Sequence, residues 1–229
     1  MLKVLRINKA IFLGIVVSLS LYSCAPSRLI KPINKGEKQI NASLGGPLIN
    51  YAGTTIPLPF TSVTYAYGLE DNTSLYGSLH STSLLFGVLQ SEVGLVYQLK
   101  QPDSLKFYKL GVSVSPSFNF MIDRWQGNFR FYPKYDFNIY SKWSKKRNHL
   151  AYLGFSNWFD FYENKAHNLK NQYFIIGNFH GGLMLNSGKW NHQLECKLFP
   201  LFNQNIVVDY SPMFNNVPWG IYYSISKNF

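Results

Sequence analysis

The sequence predicts an all-β protein, an antiparallel up-and-down transmembrane β-barrel of about ten strands with eight as the lower bound. Three observations predict it. Apolar and polar residues alternate with period two through most of the chain after residue 36, the signature of strands with one apolar and one polar face. Short turn-like connections are interleaved with longer ones, as in barrels with tight turns at one end and loops at the other. Aromatic residues reach 17% while charged residues stop at 14%, and mean hydropathy is near zero. That balance suits strands facing lipid on one side and a polar lumen on the other.

Residues 1–23 read as a signal peptide. Lys3, Arg6 and Lys9 form a basic start, and Ala10 to Leu21 form an apolar stretch shorter than the roughly 20 residues a spanning helix needs. Leu21-Tyr22-Ser23-Cys24 resembles a lipobox, the cleavage signal of bacterial lipoproteins. The resemblance implies cleavage before Cys24, a diacylglycerol thioether on its sulfur, and a further acyl chain such as palmitate on its amine. This covalent lipid on Cys24 is the one non-protein group expected, with no other cofactor. Ala25 stands where a retention Asp would stand, and no acidic cluster follows. By the same resemblance the lipid belongs in the periplasmic leaflet of the outer membrane.

Residues 24–36 then read as a lipidated tether, and residues 37–229 as the barrel. Arg28, Lys31, Lys35 and Lys38, with Lys145, Lys146 and Arg147 in one turn, suit anionic head groups or a periplasmic partner. Solvated linker and turn residues are the plainer reading.

The alternation places strands at about 37–46, 59–69, 73–83, 90–100, 105–121, 126–142, 149–162, 171–186, 189–202 and 216–228. It is clearest where Phe129, Phe131, Tyr135, Phe137 and Ile139 interleave with Arg130, Lys134, Asp136 and Asn138. Short connections fall at Glu70-Asp71-Asn72, Gln101 to Ser104, Lys145 to Asn148 and Asn186-Ser187-Gly188; longer ones fall at 47–58, 163–170 and 202–215. The apolar stretch Leu84 to Leu89 fits neither class. In the last strand, Tyr223, Ile225 and the final Phe229 resemble the C-terminal aromatic signal read by the outer-membrane assembly machinery.

Composition excludes several classes. The chain has two cysteines, so with Cys24 modified no disulfide framework forms, and no Cys/His spacing suggests zinc. Net charge is +11, or +8 once Lys3, Arg6 and Lys9 are removed, yet no nucleic-acid-binding motif accompanies it.

With the apolar parity facing lipid, Arg130, Lys134, Asp136, His180, Glu195 and Lys197 fall inside the lumen as a polar network, together with His80 and Glu92. Mixed signs favour ion pairing, because an isolated buried ion costs several kcal/mol. His80 shares parity with Ser78 and Thr82, and Glu92 lies on the next strand. This makes His80 and Glu92 catalytic candidates in a barrel enzyme acting on lipid or protein, as lipid A deacylases and omptins do. A metal site from His80, His180, Glu92 and Glu195 has no ligand spacing behind it. Trp125, Trp143, Trp158, Trp190 and Trp219 read mainly as interfacial girdle residues.

The segment from Tyr65 to His80, with its Gly68-Leu69-Glu70-Asp71 turn, resembles a hairpin of Bacteroidota outer-membrane barrel proteins. Leu79 to Gly87 resembles a segment of uncharacterised lipoproteins of that phylum. The resemblance implies fold and location and brings no catalytic residue with it. Four functions are expected in turn. The first is a structural or accessory subunit of an outer-membrane complex, bound to a protein partner. The others are a small-solute channel, a barrel enzyme, and a soluble periplasmic β-barrel lipoprotein with the apolar parity turned inward.

Overall fold

The computed structural model describes residues 29–85, 87–102, 110–124, 127–143, 149–164, 170, 174–199, 212–213 and 217–229. Cys24, Trp125 and the Lys145-Lys146-Arg147 turn lie outside the described residues.

The described strands are β1 (Lys38–Tyr51), β2 (Thr54–Pro57), β3 (Phe60–Glu70), β4 (Thr73–His80), β5 (Val88–Lys100), β6 (Leu110–Asp123), β7 (Phe129–Lys142), β8 (Leu150–Phe159), β9 (Ile175–Ser187), β10 (Trp190–Leu198), β11 (Pro212–Met213) and β12 (Val217–Asn228). A short helix, α1 (Ser81–Leu85), joins β4 to β5. Ten strands, all but β2 and β11, pair antiparallel in chain order, and β12 pairs back onto β1 from Gln39↔Asn228 to Pro47↔Gly220. The sheet is therefore closed, and closure leaves these strands no edge. An even strand number brings both ends of the barrel chain to one rim, where Phe229 N donates to Lys38 O at 2.9 Å. The β3–β4 and β9–β10 turns lie at this turn end, and the strand ends that flank the connections read as long lie at the opposite loop end.

Period-two alternation dictates which way each side chain faces. On β3, Val63, Tyr65, Tyr67 and Leu69 point outward and are exposed, whereas Ser62, Thr64 and Ala66 are buried. On β10, Leu194 is exposed while Gln193, Glu195 and Lys197 are buried. The apolar parity thus forms the outer wall and the polar parity the interior. That is the reverse of a soluble barrel, whose apolar face turns inward, and it overturns the soluble reading. An exposed apolar surface wrapping a whole barrel requires lipid around it.

Three differences from the sequence reading have local causes. The first strand does not stop at residue 46. At Gly45 (φ 143°) and Gly46 the chain bends away from β3, and β1 continues to Tyr51 to form a hairpin with β2 beyond the rim. A Cβ on either glycine would collide with a backbone carbonyl, of Ile221 or of Leu58. The second strand after it ends at His80 rather than 83, because Ser81 to Leu85 coil into α1, with the Thr82 hydroxyl donating to Pro59 O at 2.9 Å. The residues read as strand at 160–162 leave the sheet after Phe159.

Candidate functional site

The interior is filled in three layers, and these make up the candidate site. Nearest the loop end, Val88, Met121 and Tyr132 form a buried cluster joined by Trp158 and Tyr162. Tyr132 lies 6.4 Å from Trp158 and 5.8 Å from Tyr162, ring to ring. Two sequence expectations change here. Trp158 is on the inward parity of β8, so it is an interior residue and not part of a girdle. Arg130 sits at the rim of this cap, with its guanidinium 5.2 Å from the Tyr162 ring centre, and not within the ion pairs deeper in the lumen. Across the barrel, Phe199, Tyr222 and Phe60 form a second apolar cluster.

The middle layer holds the charges in two groups, one on β4, β5 and β7 and the other on β8 and β10. In the first, Lys134 Nζ lies 2.8 Å from Asp136 and 3.7 Å from Glu92, and His80 Nε2 lies 3.9 Å from Glu92. The Tyr76 hydroxyl donates to Glu92 at 3.0 Å. In the second, Lys197 Nζ lies 3.5 Å from Glu195, the Tyr152 hydroxyl donates to Glu195 at 2.9 Å, and Gln193 Nε2 donates to that hydroxyl at 2.7 Å. His180, its ring 6.3 Å from that of Tyr152, bonds Asn138 at 2.7 Å and Ser156 at 3.4 Å. Lys134, Asp136, Glu92, Glu195 and Lys197 are each no more than 4% exposed. Charges this deep persist only when paired and hydrogen-bonded.

His80 and Glu92 therefore do meet, but as parts of a buried cluster with Lys134. The hydroxyls that would serve as a nucleophile are engaged elsewhere: Ser78 bonds Thr64 at 2.7 Å, and Thr82 bonds Thr61 at 2.7 Å in the loop-end rim. His80 with Glu92 and His180 with Glu195 belong to separate groups. Among the described residues no three His, Cys, Asp or Glu side chains converge as a metal site.

Three tyrosines are seated against glycines directly opposite them on a neighbouring strand: Tyr76 on Gly94, Tyr140 on Gly111 and Tyr152 on Gly182. A Cβ at any of these glycines would lie within 3 Å of the facing ring. The glycines make room for rings that fill the narrow lumen.

The layer at the turn end is one the sequence reading missed. Residues 29–36, read as a tether, are folded across the turn-end mouth as a strap. Leu29 and Ile33 pack on Ala66, Tyr76 and Val96, while Ile30 reaches the other wall at Tyr140, Leu150, Tyr152 and Met184. The strap is pinned by backbone hydrogen bonds: Ile33 N donates to Ser74 Oγ at 3.0 Å, Gly36 N to Gly68 O at 2.9 Å, and Lys35 N to Asp71 Oδ1 at 3.1 Å. Ser113 Oγ donates to Ile30 O. The available signal was the run of small inward residues Ala66, Gly68 and Ser74, whose missing bulk the strap supplies.

Beside the strap a polar cleft of about 240 Å³ remains, lined by Gln39, Asn41, Asn186, Asn191, Gln193 and Asn228 with Lys31 and Lys142. Its amides hold one another, Gln39 to Asn228 at 2.7 Å and Asn186 to Asn191 at 2.8 Å. Burial, and secondarily the Lys142 charge, hold the Lys31 ammonium below the ordinary lysine value.

At the turn-end rim the C-terminal residues face outward. Phe229 is exposed there, and Lys227 Nζ lies 5.3 Å from the Trp190 ring and 5.0 Å from the Phe229 ring; Tyr223 is exposed midway along the β12 wall. Ile225 shares their outward parity on β12. Trp143 packs against His149 at the same end, the rings tilted with centres 5.5 Å apart. Rings and a long cation at the end of an apolar wall suit the boundary between lipid and water.

The chain is a closed ten-stranded barrel whose wall is built for lipid. No protein-family model and no curated protein matches it in sequence. Several solved barrels are similar in structure. The translocator domain of autotransporter NalP from Neisseria meningitidis shares 8% identity over 87% of this chain and 91% of its own, with a TM-score of 0.46. The NanC porin shares 9% over 82% and 98%, at 0.44. The N-terminal β-barrel domain of Pseudomonas aeruginosa OprF shares 12% over 86% and 100%, at 0.33.

Proposed function

We propose that this chain is an outer-membrane barrel, lipid-anchored through Cys24 in the periplasmic leaflet, that serves as a structural or accessory subunit of an outer-membrane complex. The observation that supports this reading is the filling of the lumen: aromatic cap, buried ion pairs and strap lie in series along it, which leaves the two rims as the working surfaces. An up-and-down barrel with its tight turns in the periplasm would present the strap, the amide-lined cleft and the cations Lys31 and Lys142 to periplasmic partners. The hairpin of β1 and β2 would project from the opposite rim. The Bacteroidota-like hairpin over Tyr65 to His80 favours a source in that phylum.

The test is purification from native outer membranes after crosslinking in the cell, at native expression. A stoichiometric protein partner, lost when Lys31 and Lys142 are both changed to Glu, is the expected result. Recovery of the barrel free of any partner would overturn the proposal.

A further inference from the structure

Outside the barrel, the apolar wall carries a notch at the turn end. Two small outward residues, Ser141 on β7 and Ala151 on β8, are paired directly across the strands. In the same row they are flanked by Leu110 on β6 and Leu183 on β9. In the next row toward the membrane stand Ile139 and Leu153, also cross-strand partners. The result is an apolar groove of about 490 Å³ on the lipid-facing side. Its walls are long aliphatic side chains and its floor is a methyl and a hydroxymethyl group.

The groove lies back to back with the strap. Ile30 packs inside against Leu150 and Tyr152, the two neighbours in sequence of the groove residue Ala151. Leu150 pairs with Lys142 in the last described pair of β7 and β8, so only the rim separates the strap from the groove's mouth. Lys31, next to Ile30, senses the charge of Lys142 on that same rim. Cys24 is five residues before Leu29, a span of at most about 17 Å for an extended chain. That length is enough to reach the rim of β7 and β8 from Leu29, the neighbour of Ile30.

We propose that this groove is the seat of an acyl chain carried by Cys24. The inference rests on the lipidation of Cys24 in the reading above and adds where the lipid lies. Strap and lipid then clasp the β7–β8 wall from both sides: Ile30 from within and an acyl chain from without. A barrel needs no lipid to stay in a membrane; a chain seated in a notch would hold the strap in the lumen. Each methylene of the acyl chain leaves water whether the chain lies in the groove or in bulk lipid. The groove therefore fixes the position of the chain and adds little to the strength of anchoring.

The test uses the full-length protein in its own outer membrane, with a photo-reactive benzoyl-phenylalanine replacing Leu153 in the groove or Leu75 on the opposite wall. Both positions face lipid. Trypsin releases Cys24–Arg28 with its acyl chains and the groove peptide 148–165 separately unless a crosslink joins them. The expected product joins these two peptides after illumination of the Leu153 variant and is absent from the Leu75 variant. Ala151→Phe, which fills the notch, should abolish that product while the barrel still shows heat-modifiable migration. Crosslinks from position 153 to phospholipid alone, or equal crosslinks to the acylated peptide from both positions, overturn the proposal with lipidation intact. An intact mass without acyl chains overturns the lipidation reading and the groove assignment together.

Discussion

The backbone carbonyl of Asn34 occupies the space where Gly68 would carry a side chain. A Cβ built on Gly68 would lie 2.1 Å from Asn34 O, and Gly36 N donates to Gly68 O at 2.9 Å beside it. The strap and the β3 wall are therefore fitted to each other at main-chain distance, and side-chain rearrangement cannot relieve an added atom there. Gly68→Val should expel the strap while leaving the ten-strand ladder intact, because Gly68 faces the lumen. Trypsin should then cut after Lys35 faster than in the unaltered protein, with heat-modifiable migration retained; the Lys31–Pro32 bond resists trypsin in both. Unchanged cleavage after Lys35 would mean that the strap is not held at this contact.

Lys31 opposes the strap's docking. Its ammonium is held below the lysine reference of 10.5 by burial and by Lys142, so the undocked strap binds its proton more readily than the docked one. Stability of docking therefore rises as pH rises through the depressed value and gains no more above the ordinary one. Lys31→Met should remove the penalty at neutral pH. Slower hydrogen exchange at the Ile33 amide, which donates to Ser74 Oγ, is the expected outcome; faster exchange would reverse the sign of the account.

Lys134 is the hub of the first charge group, 2.8 Å from Asp136 and 3.7 Å from Glu92. Lys134→Met leaves two buried carboxylates facing each other and should cost about 3–5 kcal/mol in reversible unfolding from detergent or vesicles. Adding Glu92→Gln and Asp136→Asn removes the uncompensated charge and should recover much of that loss. If the triple variant is no more stable than the single one, the charges are not coupled as the distances indicate.

Val93 faces outward midway along β5 and is 48% exposed. In a lipid-facing wall, Val93→Arg should destabilise the barrel by about 2–4 kcal/mol, the cost of a cation near the bilayer midplane. The same change at Phe161, beyond the end of β8, should cost far less. Equal and small effects at both sites in vesicle folding measurements would place Val93 in water.

The barrel was legible in the sequence because a strand's two faces are written in adjacent residues. Phe129 to Ile139 against Arg130 to Asn138 assigns both the wall and the lumen from a single stretch, and the structure keeps that parity. The failures came where geometry depends on residues far apart. Gly45-Gly46 reads as an end because nothing local says that β2 will take over from β3 as partner of β1. The strap has no period of its own, and its mark lies on Ala66, Gly68 and Ser74, a strand away. Trp158 follows the inward parity of β8, yet its type suggested the membrane boundary; its place in the lumen is decided by Tyr132 and Tyr162 arriving from other elements. The pairing of His80 with Glu92 was legible from parity and strand order, but its capture by Lys134 depends on β7.

The central claim is that cap, ion pairs and strap seal the lumen in series. Conductance of the purified, lipid-bearing protein in planar bilayers tests it most directly. The sealed arrangement predicts a baseline without discrete current steps at moderate voltage in molar potassium chloride. Stable ohmic steps from the unaltered protein would show a continuous hydrated path past Lys134 and the strap, and would contradict the account.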